Sequence, residues 1–265
     1  MNPFDIFLPL LVYPIVNVLV AIYHLLFFLH IPYALGFSII ALTVLIRAIL
    51  YPFTTAQLKI AKKTQSVAHH LAALKEKHKG DSKRIQEETM RLYKVHGINP
   101  AAGCLPILIQ LPLIYSLYSV FQHLIGVSST TVVSYVNKIV YFPFLHLTKP
   151  WDSSFFGISL AHSPSSLYSS VGPLIVLIPI ITVALQFVQS KMMLPQVSKD
   201  EKPAKKSDDF ATAFQSQSTY IFPIMIGFFS WGFSIGLSLY WNTFAIFGII
   251  QQYKISGWGG LIKKK

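Results

Sequence analysis

The sequence predicts an all-α integral membrane protein with five transmembrane helices, a cytoplasmic helical hairpin and an N-terminal interfacial helix. Three observations carry this. The 265 residues are 53% hydrophobic and only 12% charged, about half the charged share of a soluble domain. The charges are also bunched. No Lys, Arg, Asp or Glu occurs in the 41 residues between Asp5 and Arg47, the 43 between Lys94 and Lys138, the 38 between Asp152 and Lys191, or the 44 between Asp209 and Lys254. A helix needs about 20 apolar residues to cross ~30 Å of hydrocarbon. Finally, of 22 Lys and Arg, ten lie in 57–98, five in 191–206 and four in 254–265, and the positive-inside bias places all three groups in the cytoplasm.

Each element follows from these anchors. Residues 1–32 hold Pro3, Pro9, Pro14 and Pro32 and no basic residue, so an interfacial amphipathic helix on the outer face fits better than a sixth span. Residues 33–56 form the first core span. In 57–98, Ile60, Ala61, Ala68, Leu71, Ala72 and Leu74 recur at helical steps, as do Ile85, Thr89 and Leu92 after Gly80-Asp81. Gly97 and Pro100 then supply stop signals. This is a cytoplasmic helical hairpin of net charge +6, from ten basic and four acidic residues. A solvated face and a macromolecular docking surface both fit it.

The second span is 101–125. The outer loop 126–170 is rich in Ser and Thr, and its Tyr141-Phe142-Pro143-Phe144 run suggests a segment skimming the interface. Residues 171–193 form the third span and 194–213 a cytoplasmic loop. Residues 214–253 are too long for one crossing and give the fourth and fifth spans as a hairpin, turning near 231–234. Residues 254–265 are a basic cytoplasmic tail, so the N-terminus is outside. The first basic residue is Arg47, so the basic front of a secretory signal is missing and the apolar N-terminal stretch is expected in the mature chain. A transit-peptide composition is also lacking, which favours a bacterial plasma membrane.

Catalytic and metal chemistry find little support. Gly232-Phe233-Ser234-Ile235-Gly236 matches GxSxG, but it sits at a turn between apolar helices and the last histidine is His162, so no base follows. Cys104 is the only cysteine, which excludes an intramolecular disulfide or CxxC site. His69-His70, His78 and His96 lack metal-site spacing, and no phosphate loop appears. No cofactor and no enzymatic activity are expected.

Arg47 is the conspicuous charge. It stands in an apolar run where insertion costs about 2.5–3.5 kcal/mol, and none of the five spans offers an Asp or Glu. Thr43, Arg47 and Tyr51 share a helix face, followed by Thr54. Snorkelling toward the cytoplasm is one account of this charge. The polar stripe favours another, a hydrated cavity completed by Gln110, Thr182, Gln186, Gln189, Ser238 and Asn242, although each of these alone also fits interhelical hydrogen bonding. Such a cavity suits a polar or acidic group from outside the chain. A small-anion transporter or channel using Arg47 is the alternative.

The run Asn99-Pro100-Ala101-Ala102-Gly103-Cys104-Leu105-Pro106 through Gln110-Leu111-Pro112 resembles the start of a core span of the YidC/Oxa/Alb family of membrane protein insertases. Thr43 through Arg47 to Tyr51-Pro52-Phe53-Thr54, and Gly236-Leu237-Ser238-Leu239-Tyr240-Trp241 with Gln251-Gln252, are similar to its first and last core spans. The resemblance implies an insertase and chaperone with a groove open to cytoplasm and lipid. That groove would be lined by Arg47, Thr43, Gln110, Gln186, Gln189, Ser238, Tyr240 and Asn242. It implies nascent membrane proteins as substrates, the lipid bilayer as surroundings, and partners of the Sec translocon, ribosome and signal recognition particle kind. No specific nucleic acid sequence or small-molecule substrate is implied. Ser234 and Ala245 stand where the family often has Pro and Asn, and Asn242 is expected to take the polar role.

Overall fold

The computed structural model describes residues 10, 12–98, 114, 115, 118, 129–194 and 210–262. The expected second span 101–125, with Cys104 and Gln110, therefore lies almost wholly outside the described residues, as does most of the 194–213 loop. The chain divides into two compact units.

The first unit draws on 1–49, 109–185 and 224–246. Helix α1 (Tyr13–Phe28) buries Ile15, Val16, Leu19, Val20 and Tyr23, a stripe at three- and four-residue steps. Leu25 and Phe28, off that stripe, are exposed, so both faces are apolar. Helix α2 (Ala34–Ile49) packs on α1. Beyond α6 (Ser129–Ile139), the chain from Val140 to Ser163 folds back onto them. Leu145, Leu147, Trp151 and Leu160 are buried in the same core as α1 and α2, and the Trp151 ring meets Tyr23 edge-on at 5.7 Å. The expected interface-skimming loop is thus a packed cap, although Tyr141, Phe142 and Phe144 remain exposed.

Buried asparagines pin this cap. Asn17 Nδ2 donates to the Tyr13 carbonyl at 2.8 Å and to the Ile139 carbonyl at 3.1 Å, and its Oδ1 accepts from Tyr141 N–H at 2.7 Å. Asn137 exchanges two bonds with Leu147, at 3.1 and 2.8 Å. Strands β1 (Ser154–Phe155) and β2 (Ile158–Ser159) form a hairpin whose turn residues, Phe156 and Gly157, both have positive φ, the requirement of an I′-type turn. β1 packs on α2 at Gly36, where a Cβ would collide with the Phe155 ring. After α7 (Pro164–Val171), a single-turn 3₁₀ helix leads into α8 (Leu177–Met192). Helix α9 (Phe210–Gly232) meets α10 (Ile235–Ser256) at 233–234.

The second unit draws on 50–108, 186–223 and 247–265. Helix α3 (Tyr51–Ser66) follows a break at Leu50. Val67 then leaves helical geometry, with φ −95° and ψ 0°, and is only 2% exposed. The first arm expected for the 57–98 hairpin is therefore two helices, α3 and α4 (Ala68–Lys77), rather than one. Helix α5 (Ser82–Val95) returns along α4, bringing the His96 ring within 6.4 Å of His70. Asp81 caps α5 by accepting from Arg84 N–H at 3.0 Å. At the other end Gly97, with φ +61°, ends the helix, and Ile98 N–H reaches back to the Tyr93 carbonyl. Gly259 in the last turn sits where a Cβ would strike the Met192 carbonyl at the end of α8.

By length and apolarity, one described helix suffices to cross a membrane, Pro173–Met192, with a second if 34–49 and 51–64 count together. This is fewer than the five spans expected from the sequence. The shortfall has local causes besides the residues not described. Leu50 interrupts one run. The apolar part of α9 is short, and α10 is 22 residues long but carries Ser238, Asn242, Thr243, Gln251 and Gln252. The polar residues that mark the candidate site are also what lower the apolarity of its helix.

Candidate functional site

Helix α2 turns Ser38, Ile39, Leu42, Thr43 and Arg47 inward while Val44, Leu45 and Ile49 stay exposed. Its hydroxyls are satisfied locally. Ser38 donates to the Ala34 carbonyl and Thr43 to the Ile39 carbonyl, each at 2.6 Å, the back-bonding that lets such residues sit inside an apolar helix. Arg47 lies one turn after Thr43 on the same face. It is only 5% exposed and reaches α10. Nη2 donates to the Phe244 carbonyl at 2.7 Å, and Cζ lies 3.4 Å from the centroid of the Phe244 ring.

Phe244 therefore holds the guanidinium twice. A carbonyl inside a helix keeps a second lone pair beyond its ladder bond, and the ring face offers negative quadrupole to a cation. Tyr240 lies one turn earlier on α10, almost fully buried, with its ring 5.7 Å from that of Phe244. Asn242 is half-buried on the same helix, and its Oδ1 has no hydrogen-bond partner among the described residues.

Ser238 has a different occupation. It bonds Ser230 at 2.8 Å, which contacts Thr182 at 3.3 Å, and Thr182 donates to the Ile178 carbonyl at 3.0 Å. These three hydroxyls join α8, α9 and α10 in the first unit. Thus the structure gathers Arg47, Thr43, Tyr240, Asn242 and Ser238 in one unit, but Thr43 and Ser238 spend their hydroxyls on the fold. Gln186 and Gln189 belong to the second unit, where Gln186 is buried and Gln189 half-buried. Among the described residues, Arg47 bonds and stacks on Phe244.

Sequence reasoning missed Phe244, because an aromatic in an apolar helix reads as packing. A signal was present, since an arginine among membrane helices without acidic partners calls for an aromatic face. It also missed a second polar knot. In the second unit Gln251 Nε2 lies 3.1 Å from the Tyr51 carbonyl, 2.7 Å from Thr54 Oγ1 and 3.0 Å from Thr55 Oγ1. This ties α10 to the first turn of α3, just after the break at Leu50.

Comparison with known proteins adds an independent line. The family model described as 60Kd inner membrane protein matches residues 26–259. The chain is 33% identical to the ALBINO3-like protein 1, chloroplastic, of Arabidopsis thaliana over 87% of its own length and 45% of that protein. It is 33% identical to the membrane protein insertase YidC of Fusobacterium nucleatum over 83% of its own length and 85% of that protein. It spans about half the length of the chloroplast relatives it matches. A crystal structure of an active YidC insertase shares its fold at a TM-score of 0.56 and 24% identity, over 96% of this chain and 47% of that one. The extent of the family match and the near-full coverage of the Fusobacterium protein place this chain in the YidC/Oxa/Alb family.

Proposed function

We propose that this protein is a membrane protein insertase and chaperone that moves hydrophobic segments with short polar flanks from cytoplasm to bilayer without ATP. The observation that carries the reading is Arg47, a permanently charged side chain held 5% exposed on an otherwise apolar helix, in a family whose curated members include a protein named as an insertase. A hydrophobic segment docks at the 57–98 hairpin. Its polar or acidic flank enters a groove lined by Arg47, Thr43, Gln110, Gln186, Gln189, Ser238, Tyr240 and Asn242, where fixed polar groups replace part of its lost hydration. Release of the apolar segment to lipid drives the step, at about −0.3 to −0.6 kcal/mol per central Leu, Ile, Phe or Val.

In this reading the protein lies in a bacterial plasma membrane with five spans, N-terminus outside and C-terminus in the cytoplasm. Nascent membrane proteins are its substrates, and the Sec translocon, ribosome and signal recognition particle machinery are candidate partners. Proteoliposomes containing only this protein test the reading, with a single-span substrate bearing an acidic outer tail and protease protection of that tail as the readout. Wild type and Arg47→Lys are expected to protect the tail. Arg47→Ala loses protection roughly tenfold or more, the weight of one hydrogen bond to a charged group, and retains insertion of a strongly hydrophobic substrate. Equal loss for both substrates overturns the role of the charge.

A further inference from the structure

We propose that the last turn of the chain, together with the ends of α3 and α10, is a docking site for the headgroup of an anionic phospholipid. The inference goes beyond the insertase reading and does not depend on it.

The turn is built to stay in place. Gly257, with φ +70°, ends α10 by donating its N–H to the Tyr253 carbonyl. The chain then enters a single 3₁₀ turn, Gly259–Leu261. Gly259 is buried. A Cβ there would strike the Met192 carbonyl, and one on Gly260 would press on the Lys191 carbonyl, both at the end of α8. Backbone thus lies on backbone, a close approach that glycine permits.

What faces outward is aromatic. Trp258, between Gly257 and Gly259, is exposed, and its ring stands 4.8 Å from that of Tyr253, which is exposed as well. Ile250, three residues before Tyr253 on α10, and Ile262, just past the turn, are exposed too. An apolar helix face that ends in Tyr and Trp suits the membrane–water interface, where the ring body lies against acyl chains and the polar tip reaches the headgroups.

Charge selects the headgroup. Residues 247–265 hold Lys254, Lys263, Lys264 and Lys265 and no Asp or Glu. Lys62 of α3 joins them, its Nζ donating to the Ile255 carbonyl in the last turn of α10 at 3.2 Å. An ammonium has three donors, so Lys62 can cap α10 and still offer N–H groups to a phosphate. Lysines that border an aromatic belt attract anionic lipid at the depth where the rings sit. RNA phosphates could use the same lysines, but they would leave Ile250 and Ile262 in water. Lipid fits the whole surface.

The test places the full chain in phosphatidylcholine nanodiscs containing a minor fraction of phosphatidylglycerol, with bromine on the acyl chains of one lipid or the other. Bromine quenches tryptophan fluorescence on contact, and subtracting the signal of Trp258→Phe isolates Trp258 from the three other tryptophans. Brominated phosphatidylglycerol is expected to quench Trp258 at a mole fraction roughly fivefold lower than brominated phosphatidylcholine, the weight of one lysine near an anionic surface. High salt should shrink the difference. Replacing Lys254, Lys263, Lys264 and Lys265 with Gln is expected to abolish the preference while both lipids still quench, which shows that the turn remains docked and folded. Equal quenching of wild type by the two lipids, or quenching by neither, overturns the proposal. So does a preference that the lysine substitutions leave unchanged. Lysine-dependent co-sedimentation with ribosomes, without a lipid preference, assigns the surface to RNA and overturns it as well.

Discussion

Two polar connections of similar length, 57–98 and 126–170, solve the same problem in opposite ways. Each must satisfy a long stretch of backbone outside the apolar runs. The first does so by itself. Its helices close their own hydrogen bonds, α5 buries no residue, and its ends are finished by Asp81 and Gly97. The second contains only short helices and borrows from outside, with Asn17 of α1 bonding its backbone at Ile139 and Tyr141, and Trp151, Leu145 and Leu160 anchoring it in the core. Composition follows the strategy. Lys and Glu suit helices that remain in water, whereas Ser, Asn and aromatic residues suit a chain whose partners are elsewhere in the fold. A self-sufficient connection can be altered locally, and a borrowed one cannot.

That contrast can be broken most forcefully at Trp151. Replacing it with Ala removes the largest anchor of the cap and its edge-on contact with Tyr23, and about 3–5 kcal/mol of stability is expected to go with it. Thermal unfolding in detergent, followed by circular dichroism, checks this. Next comes Asn17→Leu, which leaves the Ile139 carbonyl and the Tyr141 N–H without their partner. A loss of about 2–4 kcal/mol is expected, and hydrogen exchange should show faster opening at 139–147 while 82–95 is unchanged. The smallest effect belongs to the hairpin. Asp81→Ala is expected to cost about 1 kcal/mol, seen as faster exchange in the first turn of α5 and as little change in the global melt. A global loss as large as that of Trp151→Ala would show that the hairpin is not self-sufficient.

The same division explains what the sequence made legible. The glycine stop at Gly97 and the turn region before Ser234 are local signals, and α5 ends at Val95 while α9 and α10 meet at 233–234. The folded-back cap depends on bonds between residues more than 120 positions apart, which no periodicity encodes. At the site, Arg47 stood out by its charge. The uses of Thr43 and Ser238 were hidden, because a hydroxyl in an apolar helix reads the same whether it lines a cavity or bonds the preceding turn. Phe244 was hidden for a related reason, since its carbonyl belongs to every residue type and its ring to every apolar helix.

The chain of hydroxyls through Thr182, Ser230 and Ser238 has a polarity. Each hydroxyl has one proton to give, and Thr182 commits its own to the Ile178 carbonyl. Ser230 must then give its proton to Thr182, and Ser238 to Ser230, so the direction of the whole series is fixed at one backbone oxygen. What remains at the α10 end is a lone pair. Two kinds of polar terminus therefore stand on α10 and its neighbours within a few residues, a guanidinium rich in protons at Phe244 and an oxygen with none to offer at Ser238. Both termini are buried, so the fold meets opposite hydrogen-bonding demands at two places along one helix.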